Sequence, residues 1–319
     1  MNVLRTFRQR KENMNQKIKI LSVNAAAKRG RKFPVDQLIL TEIGAEGDAH
    51  AGTSRQVSLF DNSEAKRFYE ITGAKELDFG QFAENITFET DGKLDAMIFD
   101  TFKAGDVELE VTQKGKPFHD EFREPGNYVM PRKGIFCKVK SGGTLKTGDK
   151  MEYIPKVFKA RIITLSDRAS KGIYEDRSGP TVTEDLTRQF QKIGWRLETE
   201  NIVIPDDETE LRQLLQDSLQ QQYDIVITTG GTGIGPRDIT PEVMHEFVKK
   251  EIPGIIEMIR WKFGIEKPAA LVSRAMAGVN EKTLLFALPG SVKAVKEYMG
   301  EINKHMKHLF YMLNDIDAH

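Results

Sequence analysis

Four stretches of the chain place hydroxyls, carboxylates, guanidinium groups or glycines where apolar runs end. In "TLSDRASKGIYEDRSGP" these are Ser166, Asp167 and Arg168, then Asp176, Arg177 and Ser178. "VIPDDETE" brings the adjacent Asp206 and Asp207. "VITTGGTGIGPRDITPEV" carries Gly230, Gly231, Thr232 and Gly233, then Arg237 and Asp238, and "ALPGSVKAV" carries Pro289, Gly290, Ser291 and Lys293. Glycines let backbone N–H groups approach an anion closely. Arginine and lysine suit phosphates, and carboxylates suit a magnesium ion that bridges phosphate oxygens. The chemistry these residues can do together is phosphate binding. Each also has a plain structural reading: the glycines as a tight turn, Asp207 and Ser291 as helix caps, Asp167 in an Asx-turn, Arg237 paired with Asp238. The loop is not a Walker loop, because no Lys-Ser or Lys-Thr follows the glycines. It also lacks the GxGxxG spacing of a dinucleotide fold.

These residues need a frame, and the pattern after residue 156 supplies one. "KARIITLS", "ETENIVIP", "YDIVITT" and "KTLLFALPG" read as strands, each followed by a long amphipathic helix pattern. Strands alternating with helices predict a doubly wound α/β sheet, in which ligands sit beyond the carboxyl ends of the strands. Thr240 is expected to cap the third helix, with Pro241 at its first position and Glu242 in its first turn. Before residue 155 the segments are short, strand-like and broken by glycine: "IKILSVNA", "DQLILTEIG", "RQVSLFD", "ENITFET", "VELEVTQ" and "GIFCKVK". That rhythm predicts a mostly-β barrel or sandwich. Only "NSEAKRFYEITG" there reads as helix, capped by Asn62 or Ser63. The expected organisation is a flexible lead-in over 1–16, a β domain over 17–155 and an α/β domain over 156–319.

The chain has 319 residues, enough for two domains, with 47 basic and 47 acidic side chains. Zero net charge argues against a general binder of nucleic acid or membrane surfaces. No apolar run approaches the roughly 20 residues of a transmembrane helix, and the basic N-terminus lacks the apolar core of a secretory signal. One cysteine, Cys137, excludes an intramolecular disulfide and a multi-cysteine metal site, which points to the cytoplasm.

The motifs "SDRAS", "EDRSGP", "PDD", "TTGGTGIGPRDITPE", "IPGIIEMIR", "LVSRAMAG" and "LPGSVKAVKE" occur in the order of the MoaB/Mog family, which the chain resembles over residues 158–311. The resemblance implies a domain that binds molybdopterin and, in active members, adenylylates it with MgATP. It places the family's paired acids on Asp206 and Asp238, as magnesium ligands and catalytic residues. Attack by the terminal phosphate of molybdopterin on the α-phosphorus of ATP would release pyrophosphate, with no need for pyridoxal phosphate. The loop 230–233 and the helix start at 290–291 would offer N–H donors. Ser166, Asp167, Arg168, Ser178, Arg237, Pro289 and Lys293 would complete the binding edge. The resemblance also implies a homo-oligomer, trimer or hexamer, working with other assembly proteins of the molybdenum cofactor.

"GAEGDAHAGTSRQVSLF", "FGQFAENITFE", "FKAGDVELEVTQKGKPFHDEF" and "MPRKGIFCKVKSGGTLKTGD" resemble, as an ordered series over 17–152, a MOSC domain. Such domains are proposed to bind molybdenum cofactor and, in many members, to handle sulfur through a cysteine after "GKP". Here Phe118 stands at that position, and a phenyl ring cannot carry a persulfide. In "GIFCKVK", Ile135, Cys137 and Val139 share one strand face, so Cys137 is expected to be buried and inert. His50 and His119 could contact a ligand, and His50, Asp48 and Asp120 loosely suggest a metal site. Arg55 and the basic loop Lys28–Lys32 could hold an anion, or be a solvated charge run. The resulting expectation is a molybdopterin adenylyltransferase whose barrel binds or hands over the pterin. The alternatives are a non-catalytic molybdopterin carrier or scaffold, and a sulfur-transfer protein.

Overall fold

The computed structural model describes residues 16–92, 94–115, 130 and 132–316. The lead-in before Gln16, and Phe118, His119 and Asp120, lie outside the described residues. The chain divides into two compact units, Met1–Lys156 and Val157–His319.

The first unit is built on β1 (Gln16–Ala25), β2 (Phe33–Pro34), β3 (Leu38–Thr41), β4 (Gly44–Ala45), β5 (Val57–Asp61) and β6 (Ile86–Thr90). They are followed by β7 (Thr101–Ala104), β8 (Val107–Lys114), β9 (Ile135–Ser141), β10 (Gly143–Leu145) and β11 (Lys150–Ile154). Strands β11-β7-β8-β9-β5-β6-β1 lie side by side, and β1 pairs with β11, so the sheet closes into a barrel. β2 extends β1, and β10-β3-β4 form a separate small sheet. Closure removes the unpaired edges that an open sheet would leave. Alternation fills the inside: Ile20, Leu59, Phe88, Phe102, Leu109, Val111 and Cys137 are all 0% exposed. On β9 the period is plain, since Ile135, Cys137 and Val139 join the barrel core. Phe136 faces the other way, into a second cluster with Phe60, Ala65, Phe82 and Met130. That cluster lies under α1 (Asn62–Thr72). The cap of α1 is Asp61, whose carboxylate accepts from Ser63 N–H at 2.8 Å, rather than Asn62 or Ser63. The helix therefore begins directly at the end of β5.

The second unit holds β12 (Val157–Leu165), β13 (Arg196–Ile204), β14 (Ile225–Thr229), β15 (Lys250–Glu251), β16 (Met276–Asn280) and β17 (Thr283–Leu288). Its sheet order is β13-β12-β14-β17-β16-β15. The first four strands are mutually parallel, and every residue of β14 and β17 is buried, as befits strands covered on both faces. β16 runs antiparallel to both of its neighbours, β17 and β15, so the doubly wound sheet is mixed. The reason is local. Only Glu281 and Lys282 connect β16 to β17, and so short a link can join only antiparallel neighbours.

The helices are α2 (Asp167–Ser170), α3 (Ser178–Ile193), α4 (Glu208–Gln220), α5 (Thr240–Phe247), α6 (Pro253–Gly264) and α7 (Val292–Leu313). Phe190 of α3 and Phe310 of α7 close on Phe158 and Trp195, with Phe158 and Trp195 stacked at 4.8 Å. Leu211 and Leu215 of α4 join Val243 and Met244 of α5 in a cluster with Ile163, Val226 and Leu285 of the sheet. Each such side chain contributes about 1.5–3 kcal/mol by leaving water. Arg161 of β12 ties the sheet to α4: it is 4% exposed and donates to Glu200 at 2.7 Å and Asp217 at 2.6 Å. The chain runs from β12 to β13 on one side and then to β14 on the other. The carboxyl ends of β12 and β14 thus flank the point where strand order reverses, the place where such sheets bind ligands.

Candidate functional site

All four polar stretches meet at the carboxyl edge of the second unit. β12 ends into Ser166, Asp167 and Arg168; β13 into Asp206; β14 into the glycine loop; β17 into Pro289 and Gly290. The strands touch through their glycines. A Cβ on Gly230, whose φ is +100°, would meet the Leu165 carbonyl oxygen at 2.4 Å, and one on Gly290 would meet Gly230 Cα at 3.1 Å. Only glycine lets these three strand ends come together.

Asp167 and Asp206 are locked to each other. The Asp167 N–H donates to Asp206 Oδ2 and the Asp206 N–H to Asp167 Oδ1, both at 3.3 Å. Arg237 reaches back across the edge to Asp167 Oδ2 at 2.8 Å, so its partner is Asp167 and not the neighbouring Asp238. Asp238 instead folds onto its own loop: Oδ2 accepts from Gly235 N–H at 2.8 Å, and its N–H donates to Gly235 O at 3.0 Å. Burial pushes the Asp206 carboxyl above its ordinary value, and the charges of Asp167 and Asp238 add to this. The Asp167 amide and Arg237 oppose the shift without cancelling it. A strained negative cluster of this kind favours a cation.

Magnesium is commonly held by one or two carboxylates together with substrate phosphates. Asp206 and Asp238 are close enough for the charge of one to raise the carboxyl of the other, and would be the candidates for such a pair. Among the described residues no group of three or more His, Cys, Asp or Glu could hold a metal ion. Two carboxylates would suit a metal that arrives with a phosphate ligand rather than a closed protein cage.

Several candidates serve as supports. Ser178 is 5% exposed; its hydroxyl donates to Asp176 Oδ1 at 2.9 Å and accepts from Thr229 at 2.7 Å. Asp176 also accepts from the amides of Ser178 and Gly179 and from Thr164 Oγ1. It thereby fixes the start of α3 against the end of β12. Ser166 caps α2 by accepting from Ala169 N–H, Asp207 caps α4, and Ser291 caps α7 by accepting from Ala294 N–H. Thr240 lies inside α5 rather than capping it, and donates to the Gly230 carbonyl at 2.8 Å. Arg168 and Lys293 are exposed at the rim, with Arg168 over the Tyr174 ring at 5.6 Å.

Arg274 has a part in the loop that sequence reasoning missed. It donates to the carbonyls of Gly233 at 2.6 Å and Asp238 at 2.5 Å, and pairs with Glu242. The available signal was an arginine directly before the apolar run of β16, within "LVSRAMAG".

In the first unit the basic loop is not a plain charge run. Lys28, Arg29 and Arg31 are exposed, but Lys32 is 1% exposed and forms an ion pair with Asp48. Asp48 also accepts from Asn85 Nδ2 at 2.9 Å and from the His50 N–H at 3.0 Å, and lies 3.2 Å from His50 Nδ1. Its carboxylate is consumed by the fold. Arg55 donates to Gln113 at 2.9 Å and lies over Phe136 at 5.5 Å. Cys137 is fully buried, and burial pushes its thiol well above the ordinary range.

A family model described as "Probable molybdopterin binding domain" matches residues 161–308, and the MOSC domain model matches residues 46–152. Gephyrin of Dictyostelium discoideum is 34% identical over 159 residues, which is 48% of this chain but only 22% of that protein. Molybdopterin adenylyltransferase of Pyrococcus furiosus is 36% identical over 160 residues, 49% of this chain and 90% of the relative. A solved structure, the tungsten cofactor synthesizing protein MoaB from Pyrococcus furiosus, is 36% identical and covers 51% of this chain and 98% of its own, with a TM-score of 0.44.

Proposed function

The chain belongs to the molybdopterin-binding domain family of molybdenum cofactor biosynthesis, with a MOSC domain ahead of that domain, and on this premise we propose that its second unit is a molybdopterin adenylyltransferase using MgATP. The observation that carries the reading is the pairing of charges at the sheet edge. Asp206, squeezed between Asp167 and Asp238, lies beside a glycine loop rich in N–H donors.

A terminal phosphate oxygen of molybdopterin attacks the α-phosphorus of ATP. The new P–O bond forms as the bond to the β-phosphate oxygen breaks, and pyrophosphate leaves with that electron pair. Both substrates are anionic, so holding them together is the principal task of the site. The glycine loop and the Gly290 turn offer amides to the phosphates. Asp206 and Asp238 would hold magnesium, which supplies charge neutralisation on the phosphates. Arg237, anchored by Asp167, stands where it can face developing negative charge.

The first unit would bind the same pterin or pass it on. The burial of Cys137 weighs against a sulfur step on that thiol. Trp261 (70% exposed), Ile265 (69%), Leu271 (57%) and Val272 (59%) supply apolar surface that supports a homo-oligomer.

The deciding experiment incubates the full chain with molybdopterin and MgATP and measures adenylyl-molybdopterin and pyrophosphate. Formation of both in equal amounts is expected. Tight pterin binding with no adenylyl transfer would instead make the protein a carrier.

A further inference from the structure

We propose that Arg274 is the positioning residue of the glycine loop: it never touches substrate, but aims the Gly233 and Ile234 amides at the substrate phosphate. The inference rests on the reading that this loop binds phosphate, and goes beyond it by naming the group that sets the loop's shape.

Three hydrogen bonds hold Arg274 to the loop and a fourth holds it to the start of α5. Its backbone N–H donates to Thr232 O at 2.9 Å. Nε donates to Gly233 O at 2.6 Å, Nη2 to Asp238 O at 2.5 Å, and Nη1 to the Glu242 carboxylate. A guanidinium presents its donors in a fixed plane, so one side chain fixes three acceptors relative to each other. These acceptors begin the loop, end it, and start α5.

The consequence follows from peptide geometry. In a trans peptide the C=O of one residue and the N–H of the next point in opposite directions. Pinning the Thr232 and Gly233 carbonyls toward Arg274 turns the amides of Gly233 and Ile234 to the other side. Among the described residues those two amides donate to no group. The next amide, Gly235, is spent on Asp238 Oδ2. Two adjacent free amides on one side of a glycine turn form an anion nest. Thr240 braces the same loop at its base, through Gly230 O and Gly231 O. Glu242 neutralises the guanidinium, and its carboxyl is held below the usual range by the hydrogen bond from Arg274. The arginine charge is thereby committed to the loop.

The test compares the full chain with Arg274→Ala and Arg274→Lys. Molybdopterin binding is followed by calorimetry, KM and kcat by the adenylylation assay, and folding by the thermal midpoint. Lysine can replace one donor direction but not the fork. The expected result is a rise of about tenfold or more in the pterin Kd and KM for Arg274→Ala, a smaller rise for Arg274→Lys, and partial recovery of Arg274→Ala by added methylguanidinium. A folded Arg274→Ala or Arg274→Lys chain that binds pterin within twofold of wild type overturns the proposal. So does a loss of binding that only mirrors a loss of folded protein and does not respond to methylguanidinium. If Arg274→Ala does not fold, Arg274→Lys carries the same comparison. A wild-type chain that binds no molybdopterin would overturn the phosphate-loop reading itself, and this inference with it.

Discussion

Asp167 and Asp206 donate their backbone N–H groups to each other's carboxylates, joining the ends of two neighbouring parallel strands by a reciprocal pair of 3.3 Å hydrogen bonds. The geometry sets two like charges side by side, with Asp238 adding a third field and Arg237 opposing it. Such an arrangement costs stability in the free protein and would be relieved by a bound cation.

Asp206→Asn should therefore separate stability from turnover. A carboxyl raised in the folded state contributes stability below its unfolded pKa, and this is lost as pH rises through the folded value. At neutral pH the wild type carries that loss and the asparagine variant does not. The variant should melt at or above the wild-type temperature at pH 7, with the difference fading toward about pH 3, while adenylylation falls at least tenfold. A variant that melts clearly lower at pH 7 would show that the carboxylate is stabilising.

Asp238 is the acceptor for the Gly235 amide, and in the proposed function it is also a metal ligand; the two roles are separable. Asparagine keeps a carbonyl oxygen for that amide, and alanine does not. Asp238→Asn should keep the wild-type melting temperature and lose most turnover, with pterin binding in the absence of ATP weakened less. Asp238→Ala should also loosen the loop and weaken pterin binding. Near-wild-type turnover of Asp238→Asn would remove Asp238 from the chemistry.

The strand ends and the glycine loop were legible in the sequence because buried parallel strands read as continuous apolar runs that stop at polar residues. What joins them was not. Arg237 chooses Asp167 over its neighbour Asp238, and Arg274 clamps a loop far upstream, because the sheet order brings those residues together. Local pattern carries no record of such pairings. The cap of α1 fell on Asp61, the last residue of β5, because a strand end can also serve as a helix cap. Lys32 read as one of several loop cations because nothing in its neighbours signals burial, which depends on Asp48 and Asn85 arriving from elsewhere.

The glycines of the loop make steric predictions distinct from binding ones. A Cβ on Gly231, whose φ is +62°, would meet Thr240 Oγ1 at 2.4 Å. Gly231→Val should therefore disturb the loop and the start of α5 together, lowering the melting temperature as well as pterin affinity. Gly194, also at positive φ but with open space around it, is a control: Gly194→Ala should cost only the backbone strain, about 1–2 kcal/mol. Equal melting temperatures for the two variants would show that the Thr240 contact imposes no constraint.

Lys32 and Asp48 are a buried pair in the first unit, and removing one partner should cost more than removing both. Burial pushes the Asp48 carboxyl up, but hydrogen bonds from His50 and Lys32 and the lysine charge outweigh it, holding it well below the usual range. Burial pulls the Lys32 ammonium below its usual value against the pull of Asp48 and Glu84. Asp48→Asn leaves a buried ammonium and should destabilise by about 3–5 kcal/mol. Lys32→Met combined with Asp48→Asn should recover part of this in denaturant melts. A depressed carboxyl contributes stability above its unfolded pKa and loses it as pH falls toward the folded value, so wild type should weaken below about pH 4 more steeply than the double variant. Additive single and double variants would contradict the coupling.

Cys137 tests the barrel cleanly, because it is the only thiol in the chain. It lies on β9 between Ile135 and Val139 on the inward face, fully buried in the barrel core. Burial, then the charges of Glu110 and Asp100, push the thiol well above its ordinary value, so little thiolate forms at neutral pH. A thiol reagent should label the native chain far more slowly than the denatured chain. Cys137→Ala should leave pterin adenylylation unchanged, since that chemistry lies on the other unit and needs no thiolate. Fast native labelling, or a persulfide on Cys137 after incubation with a desulfurase and its sulfur donor, would mean that the barrel opens to expose the thiol. That result would revive sulfur transfer as the role of the first unit, with the cysteine moved from the position that Phe118 now occupies.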